Sequence, residues 1–104
     1  MVFIEASSFS KLLPDYLIDD EYRGFQIYLL ERPDAGVVIR GSGGVRKVRW
    51  AAGGKGKSGG LRVIYYWFKA EEQIFLLTLY EKGEQEDLSA ADLKRIVKLI
   101  EELK

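Results

Sequence analysis

The chain has 104 residues, enough for one small domain spanning 1–104 with a single core and too few for two. Hydrophobic residues make up 47% and charged residues 31%, the balance of a globular protein rather than a disordered one. Sixteen basic residues offset sixteen acidic ones, and cysteine and histidine are both absent, which excludes disulfides, thiolate metal sites and Cys-His or Ser-His nucleophiles; no cofactor is expected.

In chain order, Met1 to Ile4 reads as a short opening strand. This start has no basic n-region and no long apolar stretch, so a secretory peptide is not expected. The longest apolar run, around Val63 to Phe68, is far below the ~20 residues that cross a bilayer. The expectation is therefore a cytoplasmic protein with no membrane partner. Ser7 to Leu13 suits a helical turn or two before Pro14. A second helix is predicted from about Asp19 to Arg32, with Asp19, Asp20 and Glu21 at its positive N-terminus and Pro33 as its stop. Ile18, Tyr22, Phe25 and Leu29 form its apolar stripe.

After Gly36 the periodicity changes. Val45 to Trp50 has β character with cations interleaved, and Leu61 to Phe68 and Gln73 to Tyr80 are dense in β-branched and aromatic residues. Lys69 to Glu72 suits the hairpin between the last two. A final helix opens at Ser89, with Asp92 three residues on as a partial capping box. Leu93, Ile96, Val97, Ile100 and Leu103 share one of its faces. The order strand, two helices, three strands, helix predicts an α+β domain. Its two N-terminal helices and C-terminal helix are expected on one face of a largely antiparallel, twisted sheet.

The net charge of zero conceals an asymmetry. Residues 1–39 carry three basic and seven acidic residues, residues 40–69 eight basic and none acidic, and residues 70–104 five basic and nine acidic, giving −4, +8 and −4. A thirty-residue block without a carboxylate focuses polyanions even where the total charge vanishes. Eight of the eleven glycines lie between 41 and 60, which predicts a mobile loop around Gly53 to Gly60. Gly54 to Gly59 fits the dinucleotide pattern G-x-G-x-x-G, and Gly56-Lys57-Ser58 ends like a Walker A loop. Both nucleotide readings fail because a strand rather than a helix follows.

An RNA-facing reading remains. Lys55 and Lys57 alternate with glycines, so both ammonium groups can approach a phosphate. Along the next strand Arg62 shares a face with Ile64, Tyr66 and Phe68. In the following strand Tyr80 is expected to share a face with Thr78 and Leu76, and Lys82 to continue that parity. Lys55, Lys57, Arg62, Tyr80 and Lys82 would combine phosphate clamps with an aromatic ring for base stacking.

Three segments, Gly41 to Arg49, Gly54 to Tyr66 and Leu77 to Ser89, resemble the RelE/HigB toxins of toxin–antitoxin pairs and are most similar to the HigB branch. The resemblance covers nearly the whole chain in order. Its more specific parts are Gly-Lys-Gly-Lys followed by Gly-Gly-x-Arg-x-x-Tyr-Tyr, and Tyr-x-Lys-x-Glu-x-x-Asp-Leu-Ser. It implies the small RelE-like fold and a ribosome-dependent endoribonuclease that cuts translated mRNA and is silenced by a cognate antitoxin, here of the HigA-like helix-turn-helix kind. It also places Lys55, Lys57, Arg62 and Lys82 beside Tyr80 where the family keeps its catalytic basic residues. RelE carries a further tyrosine near its C-terminus, and the last helix here has no aromatic residue to match it. A gyrase-poisoning toxin of the same fold and a non-catalytic RNA- or ribosome-binding module stay open as alternatives.

The chemistry suits these residue types. Metal-independent RNA cleavage lets the 2′-OH attack its own 3′-phosphate. That requires a base for the 2′-proton, cations for the growing charge and an acid for the 5′-oxygen. Crowding Lys55, Lys57 and Arg62 would draw one lysine down from about 10.4 towards a useful base. Arg62 would then hold the phosphate bidentately, and Lys82 or Tyr80 would supply charge stabilisation or the proton. Arg46, Lys47, Arg49 and Lys69, with Tyr66, are assigned to RNA contact rather than to chemistry.

Overall fold

The computed structural model describes residues 1–51, 60–85 and 87–104. The glycine-rich segment 52–59, expected to form a mobile loop, lies outside the described residues, and Lys55 and Lys57 with it. Five strands form one sheet in the order β1-β5-β4-β3-β2. They are β1 (Val2–Glu5), β2 (Val37–Val38), β3 (Arg46–Trp50), β4 (Leu61–Phe68) and β5 (Gln73–Glu81). The helices are α1 (Ser7–Tyr16), α2 (Asp19–Glu31) and α3 (Ala90–Leu103), giving the α+β architecture that the element order predicts.

Local chemistry explains most boundaries. Glu21 reaches back to accept the Ile18 N–H at 3.1 Å, so an acid in the first turn of α2 satisfies one of its orphan donors. The Ser89 hydroxyl accepts the Asp92 N–H at 3.0 Å and opens α3. Between β4 and β5 a 3₁₀ turn, Lys69–Glu71, ends on Glu72 with φ 53°, the left-handed residue that returns the chain. Proline does not end α1: Pro14 sits inside the helix, which runs on to Tyr16. The Leu17 N–H still bonds the Leu13 carbonyl at 3.0 Å, so the helix closes past the ring. Ile18 is 66% exposed as the residue preceding α2 and takes no part in the buried stripe.

The helices do not share one face, contrary to the sequence expectation. Phe9, Leu17, Phe25 and Leu29, from α1, α2 and the junction between them, pack with Val63, Tyr65, Ile74 and Leu76. Ile96 and Ile100 of α3 pack with Val45, Ile64, Phe75 and Leu77. Because successive strand residues point to opposite faces, these two clusters lie on opposite sides of the sheet. β4 and β5 are thus buried on both faces, which is why they read as near-continuous apolar runs.

The sheet is antiparallel except that β1 runs parallel to β5, with Val2 opposite Gln73. The β4–β5 ladder carries a register shift: Ile64 pairs with Thr78 but Tyr65 pairs with Leu76. Leu77 is the extra residue, a bulge that reverses the side-chain parity along the rest of β5. Leu76 consequently faces the α1–α2 side while Tyr80 faces α3, so the two do not share a face as expected.

Two glycines fix close approaches. A Cβ at Gly36 (φ +76°) would lie 2.2 Å from the Lys47 carbonyl oxygen, and one at Gly60 (φ +52°) would lie 2.7 Å from that of Trp50. The Gly60 carbonyl also accepts the Lys82 N–H at 3.3 Å, tying the end of β5 to the start of β4.

The fully buried Tyr65 gives its hydroxyl to the carbonyls of Pro33 and Ala35, at 2.9 and 2.7 Å, and so anchors the α2–β2 turn to the sheet. Burial pushes the Tyr65 hydroxyl well above 10, the ordinary tyrosine value. Burial, then the Glu84 bond, raises Tyr16 to about 12. A raised acid in the folded state contributes stability that is present below pH 10 and lost as pH climbs above it. Urea unfolding should therefore show a stability plateau near neutrality and a decline above about pH 10. Tyr65→Phe should cost about 1–3 kcal/mol on the plateau and make the alkaline decline shallower.

Candidate functional site

The strand register assembles the site. Arg49 of β3 pairs with Arg62 of β4, and Arg62 pairs with Tyr80 of β5. The three form a row across the α3 face, spanning about 10 Å at the usual strand spacing. Lys47 lies two residues along β3 on the same face, opposite Ile64. The row sits at the end of the sheet from which segment 52–59 departs, since Trp50 and Leu61 form the last pair before it. Lys82 is exposed, its backbone held by Gly60 at that same end.

Two arginines directly opposite one another in adjacent strands concentrate positive charge on this face. Arg49 is exposed and Arg62 half-buried. Together with Lys47 they line a cavity of about 340 Å³ at the open edge of β3. The arrangement suits a polyanion, whose phosphate oxygens can bridge two guanidinium groups.

Tyr80 is placed differently from the surface stacking ring that the sequence suggests. It is 4% exposed, and its ring packs in the core with Ile96 and Ile100. A ring so enclosed offers no face to a base, and its chemistry is confined to the hydroxyl. That hydroxyl is 3.5 Å from Asp87 Oδ1. Burial, then the Asp87 charge, raises its pKa, while Arg62 opposes the rise.

The five expected RNA contacts separate into groups. Lys47 and Arg49 join Arg62. Arg46 pairs with Tyr65 on the opposite face, where its guanidinium donates to the Asp34 carbonyl at 2.8 Å. It anchors the chain after α2 and does not belong to the row. Tyr66 stands four residues along β4 from Arg62, about 13 Å away. There it meets Phe68 edge-on at 5.5 Å, with Lys104 Nζ 5.6 Å from its ring. Lys69, about 23 Å from Arg62 by strand rise, lies over Trp67 at 5.6 Å. Neither Tyr66 nor Lys69 approaches the arginine row.

Two residues of the site escape sequence reasoning. Asp87 accepts from Lys47 Nζ at 3.2 Å and from the Leu88 N–H at 2.8 Å, besides standing near Tyr80. It joins the β5–α3 connection to β3 and positions both a cation and the buried hydroxyl. Its signal is the Asp of the Tyr-x-Lys-x-Glu-x-x-Asp-Leu-Ser segment, to which the sequence attaches no role. Tyr28 of α2 is the other: half-buried, it stacks obliquely on Trp50 at 5.4 Å and lines the β3-edge cavity. Its position beside Phe25 and Leu29 on the helix was the only indication.

A larger cleft of about 650 Å³ lies between α1, β5 and α3, floored by Leu77 to Tyr80 and walled by Leu12, Leu88 and Ile96. Tyr80 of the row also borders it, with Glu84, Asp92 and Arg95 among its polar lining. Among the described residues, no group of three or more acidic side chains is placed to hold a metal ion, and no helix is long and apolar enough to cross a membrane.

Residues 34–104 match the family model described as the RelE toxin of the RelE / RelB toxin-antitoxin system. The matched span contains β2 to β5, α3 and the whole arginine row.

The Leu88 N–H, and after it the Lys47 ammonium, outweigh burial and hold the Asp87 carboxyl below 3.8, its ordinary value. Its contribution is present above that value and lost as pH falls through the depressed one. Asp87→Asn should therefore lose stability at pH 7, by under about 1 kcal/mol for so exposed a pair. Its urea midpoint should also fall less than that of the wild type between pH 5 and pH 3.

Proposed function

This chain belongs to the RelE toxin family, and on that footing we propose that it is a ribosome-dependent endoribonuclease that cuts translated mRNA. In this reading it is a cytoplasmic toxin of the HigB kind, silenced by a HigA-like helix-turn-helix antitoxin. The observation that carries the proposal is the cross-strand Arg49–Arg62 pair, two guanidinium-bearing residues that one phosphodiester can bridge.

The proposed reaction balances without an outside reactant. The 2′-oxygen attacks the adjacent phosphorus, its proton passes to a base, the P–O5′ bond breaks and the 5′-oxygen takes a proton. Arg62 and Arg49 bind the non-bridging oxygens and offset the charge that grows in the transition state. Either Lys55 or Lys57 serves as the base. Tyr80, paired with Arg62 across the strands and kept neutral by burial, or Lys82 provides the acid. Asp87 acts through Tyr80 and Lys47 and is a positioning residue.

Arg62→Ala should abolish cleavage of mRNA on ribosomes, by a hundred-fold or more for the loss of one transition-state donor, while far-UV circular dichroism stays native. The readout is 5′-end mapping of mRNA after induced expression. Retained cleavage overturns the assignment, and salt-dependent ribosome binding without cut mRNA would indicate a binding module instead. Ribosome affinity should fall with salt with a log–log slope near −2, for about three single-strand phosphate contacts.

A further inference from the structure

The edge of β3 has an opening with defined chemistry. β2 spans only Val37–Val38, paired with Lys47 and Arg46. The Ile39 N–H bonds the Val45 carbonyl at 2.8 Å, so the odd-numbered residues of β3 direct their backbone groups towards β2. Arg49 is the next odd residue, and β2 has ended before reaching it. By that alternation its N–H and C=O are turned to the β2 side of the strand, and Arg49 is among the residues that line the 340 Å³ cavity.

The cavity's other walls differ in kind. On one side stands the Tyr28 ring, braced by Trp50 at an interplanar angle of 43°. On the other are the cationic side chains of Lys47, Arg49 and Arg62. Val37, 61% exposed, borders the mouth. An aromatic residue, a strand-edge backbone donor and acceptor, and cations lining one cavity match the parts of one nucleotide: base face, base edge and phosphate.

We infer that this cavity seats a nucleobase of the RNA strand next to the phosphate held by Arg62, with Tyr28 as its stacking platform and the Arg49 backbone reading its edge. The inference deepens the nuclease reading and rests on it. It makes α2, which lies outside the span matched to the family, the element that sets base preference beside the cut.

The test compares Tyr28→Ala, Tyr28→Phe and Val37→Trp with the wild type, mapping mRNA 5′ ends and measuring cleavage of one defined message on ribosomes. Tyr28→Ala should lose about 5- to 150-fold in kcat/KM at preferred sites and flatten the base preference at one position flanking the cut. Tyr28→Phe keeps the ring face and should retain both rate and preference. Val37→Trp fills the mouth from an exposed position without touching the core, so it should reproduce the loss with unfolding unchanged, even if Tyr28→Ala is destabilised. Unchanged preference in both Tyr28→Ala and Val37→Trp, with cleavage still dependent on Arg62, overturns the base seat and leaves the nuclease standing. Should the wild type cut no mRNA, the nuclease reading fails, and the seat is judged by titrating the four nucleoside monophosphates against the Tyr28 ring resonances by NMR. A shift at Tyr28 that saturates supports the seat, and no shift for any of the four overturns it.

Discussion

The ladder between β4 and β5 is the constraint on which the rest of this structure depends. Both strands are buried on two faces, and the bulge at Leu77 decides which residue goes to which. A one-residue slip in a strand pair sends every side chain to the opposite face. Here the slip is built in: it lets Leu76 fill the α1–α2 core and still delivers Tyr80 to the side of Arg62. Without the bulge, strict alternation would put the Tyr80 hydroxyl on the side away from Asp87. The arginine row and the apolar core are therefore not independent features, because one register serves both.

Charge is distributed by the same geometry. The eight cations of residues 40–69 are one block in sequence, yet the sheet divides those it describes. Strand alternation sends Arg46 to the α2 side and Lys47 and Arg49 to the α3 side. The acidic frame then returns at Asp87, which takes up Lys47. The ion pair is exposed enough to be weak as a source of stability. Its consequence is positional: it ties Lys47 to the β5–α3 connection, beside the facing pair Arg49 and Arg62. A basic stretch in sequence thereby becomes a short bidentate cradle.

How legible this was depends on the range of the forces involved. β4 was readable to the residue, from Leu61 to Phe68, because a dense β-branched and aromatic run between glycine and a charged turn has few alternatives. The Ser89 cap was readable because capping is local chemistry. The two-residue β2 and the parallel pairing of β1 with β5 were not, since both are set by distant partners. The split of the helices over two faces was hidden for a related reason: a strand buried on both sides looks apolar throughout and does not say which helix covers which side. At the site, Arg62 was legible from strand parity. The face of Tyr80 relative to Leu76 was not, since a bulge leaves no mark in composition. Tyr28 was the least visible, because its role arises where a helix meets a sheet edge.

The absence of histidine acquires a structural meaning from this arrangement. A site built on imidazole can place base, acid and charge compensation on one or two side chains that titrate near neutrality. A chain without it must divide those tasks among groups whose ordinary values lie far from pH 7. The sheet provides the fixed part: guanidinium groups that never lose their charge, and a tyrosine hydroxyl that burial and Asp87 keep protonated. Neither can accept a proton at neutral pH, so in the proposed reaction the base has to come from outside the row. In that reading the base is one of the two lysines of segment 52–59, which follows Trp50 and precedes Leu61 in sequence. Rigid strands hold the charges that stabilise the transition state, where preorganisation counts most. In the proposed reaction the base is carried on the connection between them, while the acid, Tyr80 or Lys82, belongs to β5 and its end.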